Sequence, residues 1–401
     1  MISVEKALEI LEANVPEPKR VEIRLEDALG MILFSDLVSP ESAPRFTNSA
    51  MDGYAVRWSD CCGIASNGPK ILQVHGESQA GVPFFGTVQP GEAIRISTGA
   101  MLPEGADSVV KVEDTEEAPS GVKILATPIH GQNVRVEGEE FKAGAFLFAK
   151  GTRVGPRELA MFAAVGVKTI PVYRSPRVSL LITGTELAEP DSELIKPYQI
   201  RDSNTIMLSS ATNDSGAHLN KICHVEDDLA QTIQVMEELL TETDILLCSG
   251  GVSVGRHDHV KDAAEAVGFS ELFWKIRQKP GKPLYVGRRQ DTLLFGLPGN
   301  PVSAFMCFYH YVRPVLARLQ GSSNEYRSMT ARVGFQVKNH GNRTNFIRVK
   351  VAKEPNELAC IKEIAQQGSH MLSSITTADG YIILEPGALL EPGELVEVAL
   401  F

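Results

Sequence analysis

The sequence predicts a multidomain protein of α/β plus β class, and three observations carry that prediction. The first is length: 401 residues, at roughly 150 per domain, make between two and three domains. The second is a stretch from about Arg177 in which buried-strand runs alternate with helix-length segments. That alternation implies a mostly parallel sheet covered on both faces. The third is the texture on either side of it, short alternating runs set between Gly, Pro, Asn and Asp clusters, which reads as β structure.

The elements follow in order. Ser3 is placed to cap a helix whose apolar face is Val4, Ala7, Leu8 and Leu11, with Pro16 and Pro18 ending it. From about Ala43 to Glu140 the runs Ile71–Val74 and Ala93–Ile96 lie among turn residues, the pattern of a small β-rich domain. A turn-rich opening after 141 leads into a helix from Pro156 to Val165, closed by Gly166. The α/β stretch then reads as strand Val178–Ile182, helix 203–212, strand Leu219–Cys223 and helix Asp228–Leu240. Strand Asp244–Cys248, a glycine loop and helix Val260–Val267 complete it. After Ser322 strands return, among them Thr344–Lys350 and Tyr381–Glu385, as a C-terminal β-barrel or sandwich.

Composition excludes several classes. With 43% hydrophobic and 22% charged residues, the chain has material for sizeable cores and is not disordered or fibrous. A net charge of −11 argues against nucleic acid or an anionic membrane as the main partner. The six cysteines show no C-x-x-C spacing, so reduced thiols rather than structural zinc are expected. No basic, then apolar leader opens the sequence, and no uncharged run approaches the roughly 18 residues that span a bilayer. A cytoplasmic protein is the expectation.

In an α/β sheet, ligands sit beyond the carboxyl ends of the strands, and two loops leave those ends here, Thr183–Glu186 and Ser249–Gly255. Ser249-Gly250-Gly251-Val252-Ser253-Val254-Gly255, followed by Asp258 before a helix, reads either as a phosphate cradle of backbone N–H groups or as a plain tight turn. It is neither a dinucleotide fingerprint nor a P-loop. Between Leu272 and Arg289 stand six Lys or Arg residues and no acid, a local reversal of the global charge. Pro280, Gly281 and Pro283 stiffen that turn, as positioned cations require, although a solvated basic turn fits the pattern too. Gly296-Leu297-Pro298-Gly299-Asn300-Pro301 is a rigid strand-to-helix corner. Asp52 in Ser49–Tyr54 and Thr98 in Ser97–Pro103 sit in turns. His257-Asp258-His259 diverge at a helix start and make no three-ligand metal site.

Taken in order, Asn48–Ala55, Ser97–Ala100, Gly138-Glu139, Thr183-Gly184, Ser249–Gly255, Lys279–Pro283, Gly296–Pro301 and Gln367–His370 closely resemble the molybdopterin molybdenumtransferase family, the MoeA type related to the gephyrin E-domain. The resemblance covers essentially the whole chain. It implies a three-layer α/β domain like that of molybdopterin adenylyltransferases (1–23 and 173–322) and a discontinuous dimerisation core (24–45 and 141–172). A β-rich domain (46–140) and a C-terminal β-barrel (323–401) complete the implied architecture. It further implies an elongated homodimer whose cleft uses both chains. The implied activity is insertion of molybdenum from molybdate into adenylylated molybdopterin with release of AMP, assisted by Mg²⁺. A molybdopterin adenylyltransferase and molybdoenzyme chaperones are the implied further partners. Two other readings share these motifs, an adenylyltransferase-like enzyme and a peptide-binding scaffold of gephyrin type.

The chemistry accounts for the residue types. A phosphoanhydride and an oxyanion both need fixed cations and backbone donors. The resemblance assigns catalysis to Asp52, Thr98, Glu186, Asp258, Lys275 and Lys279. It assigns substrate contacts to Arg135, Glu140, Gly250, Gly251, Ser253, Gly255, Lys282, Pro298, Pro301, Arg348 and Ser369. Glu186, Asp227 and Asp258 match the metal positions. Four positions depart from the family pattern: Thr47, Thr185 and Arg256 each replace an acid, and Glu140 replaces Asp. A less negative cleft is expected from these changes, binding anions without an unusually high Mg²⁺ demand.

Overall fold

Helix Val4–Asn14 starts where Ser3 Oγ accepts the Lys6 amide at 3.2 Å, and it buries Val4, Ala7 and Leu11. The computed structural model describes residues 1–252, 258–322, 327–353 and 358–401. Within them the chain forms two units, Ile23–Leu29 with Ser35–Ile170, and Met1–Glu22 with Gly30–Phe34 and Pro171–Phe401.

The unit built mainly from Ser35–Ile170 carries a six-stranded sheet. Its spatial order is Ser108–Lys111, Gly53–Val56, Glu92–Ile96, Lys70–Ser78, Gly121–Ile124 and Thr115–Ala118. The strand Gly53–Val56 is buried along its whole length. Tyr54 and Val56 enter one core with Leu72, Val110 and Val122, and Ala55 enters another with Ile94, Ile96 and Val109. A strand covered on both faces shows no polar alternation. For that reason Ser49–Tyr54 reads as a turn in the sequence, although a strand begins at Gly53.

The other unit contains the expected α/β sheet, in the order His218–Val225, Arg177–Thr183, Ile245–Ser249, Thr292–Leu297, Tyr285–Arg289 and Ser270–Trp274. The first four strands are parallel, and the last two continue the sheet by antiparallel pairing, with Ser270–Trp274 at the edge. Along Arg177–Thr183, Leu180 and Ile182 pack with Leu208 and Ala211 of helix Asn204–Asp214. Leu181 packs on the opposite face with Met236 and Leu239 of helix Leu229–Leu240. Alternate residues thus feed two cores, as a doubly covered sheet demands.

The two antiparallel strands revise the reading of residues 272–289. Arg288 and Arg289 pair with Leu293 and Thr292, at the amino end of a strand whose carboxyl end is Leu297. Lys275, Lys279 and Lys282 lie in the connection between the antiparallel strands. The six cations therefore form no single cluster, because a hairpin separates its tip from its far strand end.

The C-terminal strands close into a barrel rather than a sandwich. Thr344–Ala352 pairs with Cys360–Glu363, then come Ser328–Val333, Leu395–Leu400 and Gly380–Leu384, which pairs back to Thr344–Ala352. Val333, Ile347, Val349, Ile361, Ile382 and Val398 fill it. The short strand Gln278–Lys279 adds to its side in parallel with Thr344–Asn345. Among the described residues no helix is long and apolar enough to cross a membrane.

Candidate active site

Three motifs that are distant in sequence meet in the β-rich unit. Asn48–Ser49 pairs antiparallel with Val134–Arg135, the Ser49 amide donates to Ala100 O at 3.0 Å, and the Gly99 amide donates to Ser49 O at 2.8 Å. This knot brings Asp52 to Thr98: Asp52 Oδ1 accepts the Thr98 amide at 2.7 Å and its hydroxyl at 3.1 Å. Asp52, Thr98 and Arg135 are all exposed. Glu140 is exposed as well, its amide bonded to Ala43 O at 3.1 Å. Thr47 Oγ1 accepts the Glu137 amide at 3.1 Å, a bond that the carboxylate usual at that position could equally make.

In the α/β unit three loops converge at the carboxyl ends of neighbouring parallel strands. The Gly250 amide donates to Leu297 O at 3.2 Å, which ties the glycine loop to the Pro298–Pro301 corner. Gly250 has φ +90°, and a Cβ there would lie 2.6 Å from Thr183 O. Gly251 has φ +65°, and its Cβ would meet Val260 Cγ2 at 2.9 Å. Both glycines are thus set by close approach and by backbone angle. Pro298 is buried and Pro301 opens helix Pro301–Cys307. Ser253, Gly255 and Arg256 lie outside the described residues.

Asn204, which sequence reasoning passed over as a helix start, holds these loops together. Its Nδ2 donates to Ser249 Oγ and to Gly299 O, both at 2.8 Å. A buried asparagine between two loops leaves no periodic trace in a sequence. Trp274 escaped notice for the same reason. Its indole N–H donates to Val252 O at 3.1 Å, and the Lys275 ammonium lies over its ring, 3.6 Å from the centroid. One side chain thus secures both the glycine loop and a candidate cation.

The carboxylates are more dispersed. Glu186 is exposed, and Asp258 is half-buried just before helix Val260–Ala266. Asp227 Oδ2 accepts the Thr185 hydroxyl at 3.0 Å and the Thr185 amide at 3.3 Å. The residue that departs from the family pattern therefore orients Asp227 with neutral donors. Among the described residues no group of three or more His, Cys, Asp or Glu side chains is gathered to hold a metal ion. Glu186, Asp227 and Asp258 consequently form no all-protein cage. Mg²⁺ ordinarily takes only one or two carboxylates together with substrate phosphates, and these residues fit that role. A polar cavity of about 380 Å³ has Gly184, Thr185, Asp202, His224, Glu226 and Gln231 in its wall, while Glu186, Asp227 and Asp258 do not line it.

The cationic side is built on the barrel. Among the described residues Lys275, Lys279 and Lys282 make no ion pair. Pairing of Lys279 with Asn345 sets their turn against the strand that carries Arg348. The Arg348 guanidinium is wholly buried, and none of its three nitrogens has a hydrogen-bond partner among the described residues. Burial alone pushes it down to about 10. Gln367 clamps the same residue's backbone, accepting its amide at 3.2 Å and donating to its carbonyl at 2.8 Å. Half-buried Ser369 follows two residues later in that loop. An unpaired buried cation is costly, and its presence points to an anionic ligand.

The comparisons with known proteins agree with this geometry. Residues 2–166 match the MoeA N-terminal region (domain I and II), 179–318 a probable molybdopterin binding domain, and 330–401 the MoeA C-terminal region (domain IV). Molybdopterin molybdenumtransferase 2 of Mycobacterium tuberculosis is 37% identical over 332 residues, 82% of each chain. The molybdopterin molybdenumtransferase of Staphylococcus epidermidis is 32% identical over 401 residues, 100% of this chain and 95% of that one. A crystal structure of the molybdopterin biosynthesis MoeA protein of Pyrococcus horikoshii superposes with a TM-score of 0.84 at 32% identity, covering 100% of this chain and 99% of the other.

Proposed function

From the premise that this chain belongs to the MoeA family, we infer that it is a molybdopterin molybdenumtransferase of molybdenum cofactor biosynthesis. It accepts adenylylated molybdopterin and molybdate. The phosphoanhydride is cleaved, AMP leaves, and molybdenum is taken by the two dithiolene sulfurs. The observation that carries this reading is the buried Arg348 guanidinium, unpaired among the described residues, on the barrel strand that also borders the Lys279–Lys282 turn. Such a group accommodates an oxyanion, whose negative oxygens replace the solvent that the fold has removed.

In this reading Arg348, Lys275, Lys279 and Lys282 bind molybdate or phosphate oxygens, with Ser369 as a neutral donor. The Gly251 backbone supplies an N–H donor to the phosphoanhydride, Gly250, its own amide bound to Leu297 O, shapes the loop, and Pro298 and Pro301 fix the corner behind it. Asp52, Thr98, Arg135 and Glu140 serve the cleft from the β-rich domain of the partner in a homodimer. Ser253 and Gly255 are assigned to the substrate loop on the family motif alone. Glu186, Asp227 and Asp258 would hold Mg²⁺, which when bound neutralises charge on the phosphate oxygens. A cytoplasmic location follows from the biosynthetic role.

The test is AMP release from adenylylated molybdopterin with and without molybdate. Release that needs the oxyanion supports the transferase. Release at the same rate without it favours an adenylyltransferase-like hydrolysis and overturns this reading. Thr185 yields a second expectation. Because its neutral donors orient Asp227 where a second carboxylate would repel it, activity should saturate at ordinary millimolar Mg²⁺. T185V, which removes the hydroxyl donor, should raise the half-saturating Mg²⁺ by about three- to tenfold. A parent enzyme that needs an abnormally high Mg²⁺ concentration contradicts this account of the departure.

A further inference from the structure

The turn Lys279–Lys282 has a support that neither the family motif nor the site residues include. Gln278 is fully buried while Lys279 is exposed, as alternation along a short strand dictates. The Gln278 carboxamide lies beneath the turn, where Nε2 donates to Pro280 O at 3.0 Å and to Gly281 O at 3.3 Å. Its Oε1 accepts the Tyr311 hydroxyl. Tyr311 is itself fully buried in the π-helical turn Phe308–Val312, which joins helices Pro301–Cys307 and Arg313–Leu319. A π-turn is an uncommon way to continue a helix and is often found at functional sites. Here it delivers the one hydroxyl that orients the carboxamide. Gly281, at φ +91°, rests against the same support: a Cβ there would meet Cys307 Sγ at 2.5 Å and Gln278 Nε2 at 2.6 Å.

We propose that Gln278 and Tyr311 are positioning residues that hold the Lys279–Lys282 turn in the shape that binds the oxyanion. The proposal rests on reading that turn as part of the molybdate or phosphate site. The carboxamide has two ends and one task for each. With Oε1 engaged by Tyr311, Nε2 must face the turn, where it donates to Pro280 O and shares Gly281 O with the Cys307 thiol, 3.7 Å away. Removing the hydroxyl frees the carboxamide to rotate, which costs Pro280 O its oriented donor and leaves Gly281 O with the weak thiol donor. The lysines on either side of them then lose their fixed separation. A preorganised anion site is sensitive to such displacement, since its binding depends on cations already in place.

The experiment compares Y311F, Q278M, K279Q and V312A with the parent in molybdate titration calorimetry and in the molybdate KM and kcat of AMP release. Y311F keeps the ring in the core and Q278M keeps the length of the side chain. Both should weaken molybdate binding and raise its KM about tenfold, with kcat changed far less. V312A truncates a core residue of the same π-turn whose apolar side chain cannot take part in the hydrogen bonds of the support. It should lower Tm while leaving molybdate affinity unchanged. Unchanged affinity in Y311F and Q278M, with K279Q impaired, overturns the positioning role and leaves the site reading intact. A loss in V312A equal to that in Y311F also overturns it, as a general effect of destabilisation. Parent-like binding in K279Q overturns the site reading itself, and the proposal with it.

Discussion

R348M should raise the melting temperature and remove molybdate-dependent AMP release in the same molecule. The guanidinium is wholly buried and has no partner among the described residues, and desolvation lowers it from its ordinary value to about 10. A displacement of that size corresponds to about 3 kcal/mol of destabilisation. The unfolded chain binds the extra proton only above about pH 10, so the cost is complete at every pH below that and is relieved only above it. The gain from methionine should therefore be the same at about pH 6 and pH 8. For a large unit it amounts to several degrees in Tm, at about 2–4 °C per kcal/mol. Activity moves the other way. Loss of a desolvated charge contact to an anion costs about 2–5 kcal/mol, a fall of about 30-fold or more in kcat/KM for molybdate. R348K keeps the charge without the planar fork and should fall between. Full activity in R348M, or a lowered Tm, would falsify the assignment of this residue to an anion.

G53A should be among the most damaging single-methyl changes in the β-rich unit. The Cβ would lie 2.0 Å from Val110 O and 2.9 Å from Lys111 Cα, backbone atoms of a paired strand that cannot rotate aside. Gly53–Val56 is hydrogen-bonded on both edges, so relief requires parting two strands. Overpacking of this kind costs about 3 kcal/mol, or about 10 °C in Tm for a unit of this size. Asp52 precedes the glycine, so its bonds to Thr98 should be lost as well, and activity should fall even at low temperature. G99A gives the contrast within the same knot. Gly99 has φ +79° with nothing within 4 Å of its Cβ, so alanine should cost only about 1 kcal/mol of backbone strain. Thermal unfolding of both variants decides between these mechanisms, and equal losses would show that crowding at Gly53 is not the cause.

The comparison of these two glycines marks how far a sequence can be read. Both stand in motifs legible as turns, yet only one is a turn glycine. Gly53 belongs to a strand covered on both faces, and burial on both sides erases the alternation by which strands are recognised. The α/β stretch was legible because its longer helices carry a 3.6-residue period, and because Asp228 marks the start of one of them. The antiparallel strands Ser270–Trp274 and Tyr285–Arg289 were not legible. Each is five residues long, and the basic turn between them dominated the local composition.

The candidate site divides along the same line. The glycine loop, the cationic turn and the proline corner declare themselves through residue types that few other structures require. Thr185 with Asp227, Asn204 between Ser249 and Gly299, Trp274 under Lys275, and Tyr311 beneath Gln278 are pairs of ordinary residues. Their meaning lies in who their partner is. The sequence by itself determined the class of the protein, the order of its elements and the residue types for handling anions, because periodicity, turn chemistry and local charge are properties of neighbours along the chain. Tertiary structure decided which cations stand together, that Arg348 is buried without a counter-charge, and what holds the Lys279 turn. Those depend on desolvation and on contacts between residues far apart in sequence, and no local pattern records either.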